Sequence, residues 1–180
     1  MKKIFAIAAV AAAMLFAGKA NAQVSVHAGY QNVTCVSSQP VIGETSVATD
    51  GAYLGFSYNM EAGAGLGVAP GLYLSYVENM IDLRVPILLN WGINMGEIGF
   101  GLFAGPDIVY GLSGDTYNEI LILRETNRFG LDVTVGVQLK YQKISLDLGY
   151  TKGLLNRWKD APDNCTYVFN KLFVGLGYNF

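Results

Sequence analysis

Apolar side chains occupy every second position over most of the chain after residue 22. The pattern is clearest at the end, where Leu172, Val174, Leu176, Tyr178 and Phe180 alternate with smaller or polar residues. Successive side chains of a β-strand point to opposite faces, so this period of two predicts strands with one apolar face. It recurs in eight segments, which are residues 23–33, 52–60, 66–77, 81–91, 98–110, 128–141, 144–151 and 172–180.

The connections between these segments alternate in length. Short turns near residues 61–65, 93–97 and 142–143 alternate with longer polar stretches, and residues 78–79 are the one short connection that breaks the rule. Outer-membrane barrels keep short turns on the periplasmic side and long loops outside. The sequence therefore predicts an all-β fold, namely an eight-stranded antiparallel up-and-down transmembrane β-barrel.

The face that this barrel turns inward is rich in glycine and polar residues. Eight strands enclose a space that side chains just fill, so we expect no open pore. Three prolines, Pro70, Pro86 and Pro106, lie inside predicted strands. Because proline cannot donate a ladder hydrogen bond, we expect a β-bulge at each of them.

The N-terminus has the three-part layout of a secretory signal peptide. Lys2 and Lys3 precede an apolar run over residues 4–17, and Ala20-Asn21-Ala22 offers a small-x-small cleavage site. The alternative is a membrane-anchoring helix, but a run of about 14 residues is shorter than the roughly 20 that a bilayer requires. We therefore expect a cleaved signal peptide over residues 1–22 and a single barrel domain over residues 23–180.

Charge excludes one class of partner. The whole chain carries a net charge of −2, and removing residues 1–22 takes away three lysines and no acid, which leaves 9 basic and 14 acidic residues, or −5. A basic surface for nucleic acid is absent from such a composition.

Charged residues nevertheless fall on the inward face of several segments. A buried charge without a partner is costly, so we expect these groups to form a paired, hydrogen-bonded polar network inside the barrel. The alternative is a proton or ion path. The predicted network comprises Asp82, Arg84, Asp107, Asp132, Lys140, Asp147 and Lys171.

The chain has two cysteines, Cys35 and Cys165. They lie just beyond the first predicted strand and just before the last, and those strands are neighbours in a closed barrel. We therefore expect a disulfide between them at the extracellular rim, in an oxidising compartment. The alternative is two free thiols.

Candidate chemistry is sparse. His27 is the sole histidine, and Ser25 lies two positions before it on the same face, which loosely resembles a serine and its base. A polar core histidine is the simpler interpretation, and we expect no catalytic residue. Cys35, Cys165 and His27 have no spacing typical of a metal site, so we expect no metal and no cofactor.

One long connection, residues 111–127, contains an apolar patch between charged residues, Glu119 to Glu125. Two interpretations stay open for it. It extends the fifth and sixth strands as a hairpin beyond the membrane, or it folds over the mouth of the barrel.

Several stretches together resemble the PorT-like outer-membrane β-barrel family. They are residues 82–89 (DLRVPILL), 103–106 (FAGP), 128–131 (RFGL), 136–137 (GV) and the closing 175–180 (GLGYNF). The resemblance implies the outer membrane of a Gram-negative bacterium and insertion by the barrel-assembly machinery, which reads a C-terminal signal ending in an aromatic residue. It supplies no catalytic residues.

Taken together, these features predict a non-enzymatic outer-membrane barrel with a side-chain-filled lumen. Its partners would be outer-membrane lipid, the assembly machinery during biogenesis and a surface ligand reached through the extracellular loops, which would serve surface interaction or envelope integrity. Two alternatives stay open. One is a lipid-modifying barrel enzyme that uses Ser25 and His27, and the other is a barrel component of a secretion apparatus.

Overall fold

The computed structural model describes residues 22–40, 43–78, 80–113 and 126–180. Residues 1–21, which are all but the last residue of the predicted signal peptide, and the whole apolar patch Glu119 to Glu125 lie outside the described residues. The described chain forms the strands β1 (Ala22–Gln39), β2 (Gly43–Gly63), β3 (Leu66–Val77), β4 (Met80–Met95), β5 (Ile98–Ser113), β6 (Phe129–Tyr141), β7 (Ile144–Gly153) and β8 (Thr166–Asn179).

The strands close into a barrel in sequence order, each antiparallel to its neighbours. β1 closes the ring by pairing with β8 from Ser25↔Asn179 to Ser38↔Thr166. The predicted all-β, eight-stranded up-and-down barrel is thereby confirmed. The short turns between β2 and β3, β4 and β5, and β6 and β7 gather at one end, which we call the short-turn end.

The two faces of the barrel have opposite chemistry. Along β8, Leu172, Leu176 and Tyr178 point outward and are exposed, whereas Lys171 on the inner face is only 1 % exposed. A water-soluble barrel would bury its apolar face and hydrate its charges, so this arrangement is inverted relative to a soluble protein. Among the described residues, no helix has the length and apolar composition needed to cross a bilayer.

β1 and β2 are much longer than predicted. Residues expected to form a polar loop instead continue both strands as a paired hairpin, which runs from Thr34↔Ala48 to Gln39↔Gly43. We call residues 34–40 and 43–50 the extended hairpin. On its outer side, β2 pairs with β3 only from Gly51↔Val77 onward, so among the described residues the segment 43–50 has no second strand beside it.

The prolines do not create the expected bulges. β3 and β4 keep one register from Pro70↔Ile87 to Tyr73↔Arg84, and the ladder simply lacks pairs between these two points. β5 and β6 pair without a break through Pro106↔Val133. The register shifts lie elsewhere, between Glu61 and Gly63 and between Ile81 and Asp82. A local gap in pairing thus accommodates the missing donors near Pro70 and Pro86 without an extra residue.

Candidate functional site

Two buried ion pairs lie in the lumen. Arg84 Nε lies 2.8 Å from Asp107 Oδ2, and its Nη2 contacts the same oxygen. Lys171 Nζ lies 2.8 Å from Asp132 Oδ2. Hydroxyls complete the network, since Thr151 accepts from Arg84 and shares a 2.8 Å hydrogen bond with Thr134. Pairing offsets the cost of removing these charges from water.

The predicted network is therefore largely brought together, with two differences. Asp82, Arg84, Asp107, Asp132, Asp147 and Lys171 are all buried. Lys140 is only half-buried and lines the opening at the short-turn end. Asp147 bonds to His27 and Gln138 rather than to one of the predicted bases.

The His27 imidazole joins a serine and an aspartate from two other strands. Its Nδ1 lies 2.9 Å from Asp147 Oδ2, and its Nε2 lies 3.0 Å from Ser57 Oγ. All three side chains are buried. An ionised carboxylate only accepts hydrogen bonds, so Nδ1 carries the proton and a neutral ring accepts the Ser57 hydroxyl at Nε2. The second oxygen of Asp147 accepts a 2.6 Å hydrogen bond from Gln138.

This contact differs from the Ser25 pairing considered from the sequence. Ser25 donates to Asn179 Oδ1 at 2.6 Å instead. Two residues on one face of one strand lie about 6.6 Å apart, whereas a diagonal neighbour on the next strand is within reach of a long side chain. His27 faces Gly55 across the β1–β2 ladder, which makes Ser57 its diagonal neighbour.

A glycine lets the histidine reach Asp147 across a whole strand. On β8, the residue opposite His27 is Gly177. A Cβ added to Gly177 would clash with Ser145 Oγ and would lie 2.8 Å from His27 Nδ1, so both side chains would have to move. The sequence shows Gly177 as an inward glycine, but its place opposite His27 follows only from the register between β1 and β8.

The Ser57–His27–Asp147 group borders a small cavity of about 70 Å³. Tyr73, Asn90 and Phe103 also line this inner cavity. A second cavity of about 220 Å³, the vestibule, lies at the short-turn end and is lined by Glu61, Gly65 and Lys140 among others. The two cavities share the wall residues Asn90, Phe103 and Gln138, so the inner cavity lies next to the vestibule.

The opposite end of the lumen is filled with apolar side chains. Val33, Val77, Met80 and Phe169 form a buried cluster, which we call the plug. Cys35 and Tyr167 pack against it, with Cys35 Sγ 3.1 Å from the Tyr167 hydroxyl. The lumen is thus closed at the end that carries the extended hairpin.

The expected disulfide between Cys35 and Cys165 is wrong, since both are free cysteines. Both strands are longer than predicted, so Cys35 lies within the ladder opposite Phe169, while Cys165 precedes Thr166, which lies opposite Ser38. This offset of four residues amounts to about 13 Å along the strand, beyond the roughly 7 Å limit for the Cα atoms of a disulfide. Burial raises the pKa of the Cys35 thiol.

Within the part of the chain that the structure describes, no group of three or more histidine, cysteine, aspartate or glutamate residues could hold a metal ion. The chemistry available in the lumen is therefore that of the ion pairs, the hydroxyls and the imidazole.

Comparison with solved structures places this barrel among small outer-membrane barrels. The outer membrane enzyme PagL matches with a TM-score of 0.56 and 12 % identity, over 82 % of this chain and 98 % of that one. Neisserial surface protein A (NspA) matches with a TM-score of 0.52 and 15 % identity, over 89 % and 99 %. At such identities the likeness shows the fold alone.

No family model and no curated protein matches the chain in sequence. The specific resemblance to PorT-like proteins therefore stays a prediction. The neighbours include one protein described as an enzyme and one described as a surface protein, so they favour neither class of function. The comparisons establish that the chain has the fold of the small eight-stranded outer-membrane β-barrels.

Proposed function

We propose that the protein is an outer-membrane barrel of a Gram-negative bacterium that is sealed against ions and presents its extended hairpin outside the cell. The observation that carries this proposal is the inverted barrel. Leu176 is 60 % exposed on the outer face, while Lys171 and Asp132 are paired inside. An apolar outer face is stable in contact with lipid. A closed barrel can lie in lipid because it satisfies every backbone hydrogen-bonding group internally.

The direction of insertion follows from the two ends of the barrel. Short turns lie on the periplasmic side of outer-membrane barrels and longer segments lie outside. The vestibule then opens to the periplasm, and the plug and the extended hairpin are extracellular. The predicted signal peptide over residues 1–22 would bring the chain to the periplasm.

A sealed lumen argues against a role in transport. The plug fills the extracellular end, and the Arg84–Asp107 and Lys171–Asp132 pairs lie in the lumen. We therefore expect negligible conductance when the purified protein is inserted in planar bilayers. Large and stable single-channel steps would contradict the proposal.

The extended hairpin is the part suited to recognition. Residues 43–50 of β2 are mostly exposed and polar. Among the described residues no strand pairs with their outer edge, so an extended partner segment could add a strand there. At its base, Asp50 accepts hydrogen bonds from Tyr30 and Asn32, which hold the hairpin in line with the barrel.

The orientation can be tested by labelling intact cells. In a protein whose two native cysteines are replaced by serine, Val47→Cys on the hairpin should react with a membrane-impermeant maleimide. The matched control is Lys143→Cys at the short-turn end, which should react only after the outer membrane is permeabilised. The reverse pattern would contradict the proposal.

The role of the hairpin can be tested by comparing two strains. One lacks the gene, and the other expresses a protein in which Asn-Gly replaces residues 36–46, a change that joins the paired positions Cys35 and Val47 by a two-residue turn. If the hairpin performs the surface function, the shortened protein will reproduce the surface phenotype of the deletion, in attachment or in envelope permeability. Full complementation by a folded, shortened protein would assign the function to the barrel instead.

A further inference from the structure

We propose that Ser57, His27 and Asp147 form an acyl-transfer site inside the lumen, which cleaves small acetyl esters entering from the short-turn end. Ser57 is the nucleophile, His27 the general base and Asp147 the group that orients the imidazole. This activity is additional to the surface role of the hairpin and does not depend on it.

The hydrogen-bond order is the one that nucleophilic catalysis needs. A serine hydroxyl is a weak nucleophile unless a base within about 2.6–3.2 Å takes its proton, and that base must be held by a third group. The distances of 3.0 Å from Ser57 to His27 and 2.9 Å from His27 to Asp147 satisfy both conditions. Gln138 fixes the far oxygen of Asp147, so the carboxylate cannot turn away.

Ser57, His27 and Asp147 come from three different strands. A polar core that only pairs its charges does not require a serine, a histidine and an aspartate in this hydrogen-bonded order. Arg84 and Lys171 each face their own aspartate, so those carboxylates are neutralised without the histidine. Asp147 is paired instead with the imidazole of His27, whose second ring nitrogen contacts Ser57. A relay of this kind is recognised by its geometry and not by its place in the sequence.

The size of the inner cavity limits the substrate. About 10–15 Å³ of space of this kind holds one water molecule, so a cavity of about 70 Å³ has room for only a few groups of that size. An acetyl group fits and a fatty acyl chain does not. The larger vestibule, with Lys140 and Glu61 in its wall, would hold a polar alcohol as the leaving group.

The reaction balances without any further reactant except water. Ser57 Oγ attacks the ester carbonyl carbon while its proton passes to His27 Nε2. The ester C–O bond then breaks, the alcohol leaves with that proton, and acetyl-Ser57 remains. Water, deprotonated by His27, attacks acetyl-Ser57, so that acetate is released and the serine regains its proton. The side-chain amide of Asn90, in the wall of the same cavity, is the candidate donor to the oxyanion.

The test uses the full protein folded in detergent micelles, with folding checked by its altered gel mobility before boiling. p-Nitrophenyl acetate is the probe, and mass spectrometry locates the acetyl group. We expect a burst of nitrophenol with acetylation at Ser57. p-Nitrophenyl decanoate should give no burst.

Variants separate catalysis from folding. Ser57→Ala should abolish acetylation at this position, and Asp147→Asn should lower the rate by at least ~100-fold because it favours the wrong tautomer of His27. Ser25→Ala is the matched control, since Ser25 bonds to Asn179 outside the triad, and it should keep the wild-type rate. The proposal is overturned if folded wild-type protein is not acetylated at Ser57, or if Ser57→Ala keeps the burst.

Discussion

Lys171 on β8 and Asp132 on β6 form a buried ion pair of 2.8 Å across the intervening strand β7. Lys171 is the largest side chain that is almost fully buried among the described residues. An ammonium group in this position is tolerated because the carboxylate neutralises it.

Removing one partner of this pair should destabilise the barrel strongly. Lys171→Met leaves Asp132 charged, buried and unpaired, and we expect the free energy of unfolding to fall by about 3–5 kcal/mol. Urea unfolding in lipid vesicles measures it. Lys152→Met on the exposed outer side of β7 is the control, with an expected change within about 0.5 kcal/mol. The double variant Lys171→Met, Asp132→Leu should recover most of the lost free energy of unfolding. Equal losses in all variants would contradict a stabilising role of the buried pair.

The strands themselves could be read from the sequence because one physical cause sets the pattern. Lipid outside and a polar lumen inside impose a period of two, and where both media are present, as along β7, exposed and buried residues alternate without exception. The sequence pattern does not predict the extended hairpin, because this segment faces neither lipid nor the polar lumen. Residues such as Thr45, Ser46 and Thr49 are polar on both faces and therefore give no period.

The partners of His27 could not be predicted because they depend on register. A shift of two residues between β1 and β2 would keep the inward and outward faces but give His27 a different diagonal neighbour from Ser57, and the alternation of apolar and polar residues does not fix such a shift. The same reason explains the cysteines, since the predicted bridge assumed that both strands end near the rim.

Both thiols should be available to alkylation. We expect the denatured protein, prepared without reductant, to gain two alkyl groups by mass spectrometry, because Cys35 and Cys165 are free. In the folded protein, the raised pKa of Cys35 should make it react more slowly than Cys165 at neutral pH. A chain that takes up no label until a reductant is added would contradict the register between β1 and β8.

Gly177 should be intolerant of a side chain. In Gly177→Ala the added Cβ would clash with Ser145 Oγ and lie 2.8 Å from His27 Nδ1, so we expect a loss of about 1–3 kcal/mol in stability from overpacking. We also expect loss of the nitrophenyl acetate burst. Gly101→Ala is the control, because its nearest atom would be 3.6 Å away, and it should leave both quantities nearly unchanged. Equal effects of the two substitutions would argue against the proposed crowding at His27.

The base of the extended hairpin should respond to acid. Hydrogen bonds from Tyr30 and Asn32 lower the pKa of Asp50 below its ordinary value of 3.8. A carboxyl group with a depressed pKa in the folded state stabilises that state above its ordinary pKa, and the contribution is lost as the pH falls through the folded value. Amide exchange in residues 43–50, corrected for intrinsic rates, should therefore speed up below about pH 4. Asp50→Asn should remove this pH dependence. Amide exchange that does not change with pH in the unaltered protein would contradict the prediction.

The inverted barrel can be measured directly with a spin label on its outer face. In protein reconstituted in lipid vesicles, with serine replacing both native cysteines, a label at Leu176→Cys should be relaxed by lipid-soluble oxygen and shielded from a water-soluble nickel chelate. A label at that position that is fully accessible to the nickel chelate would show that water, and not lipid, surrounds the barrel.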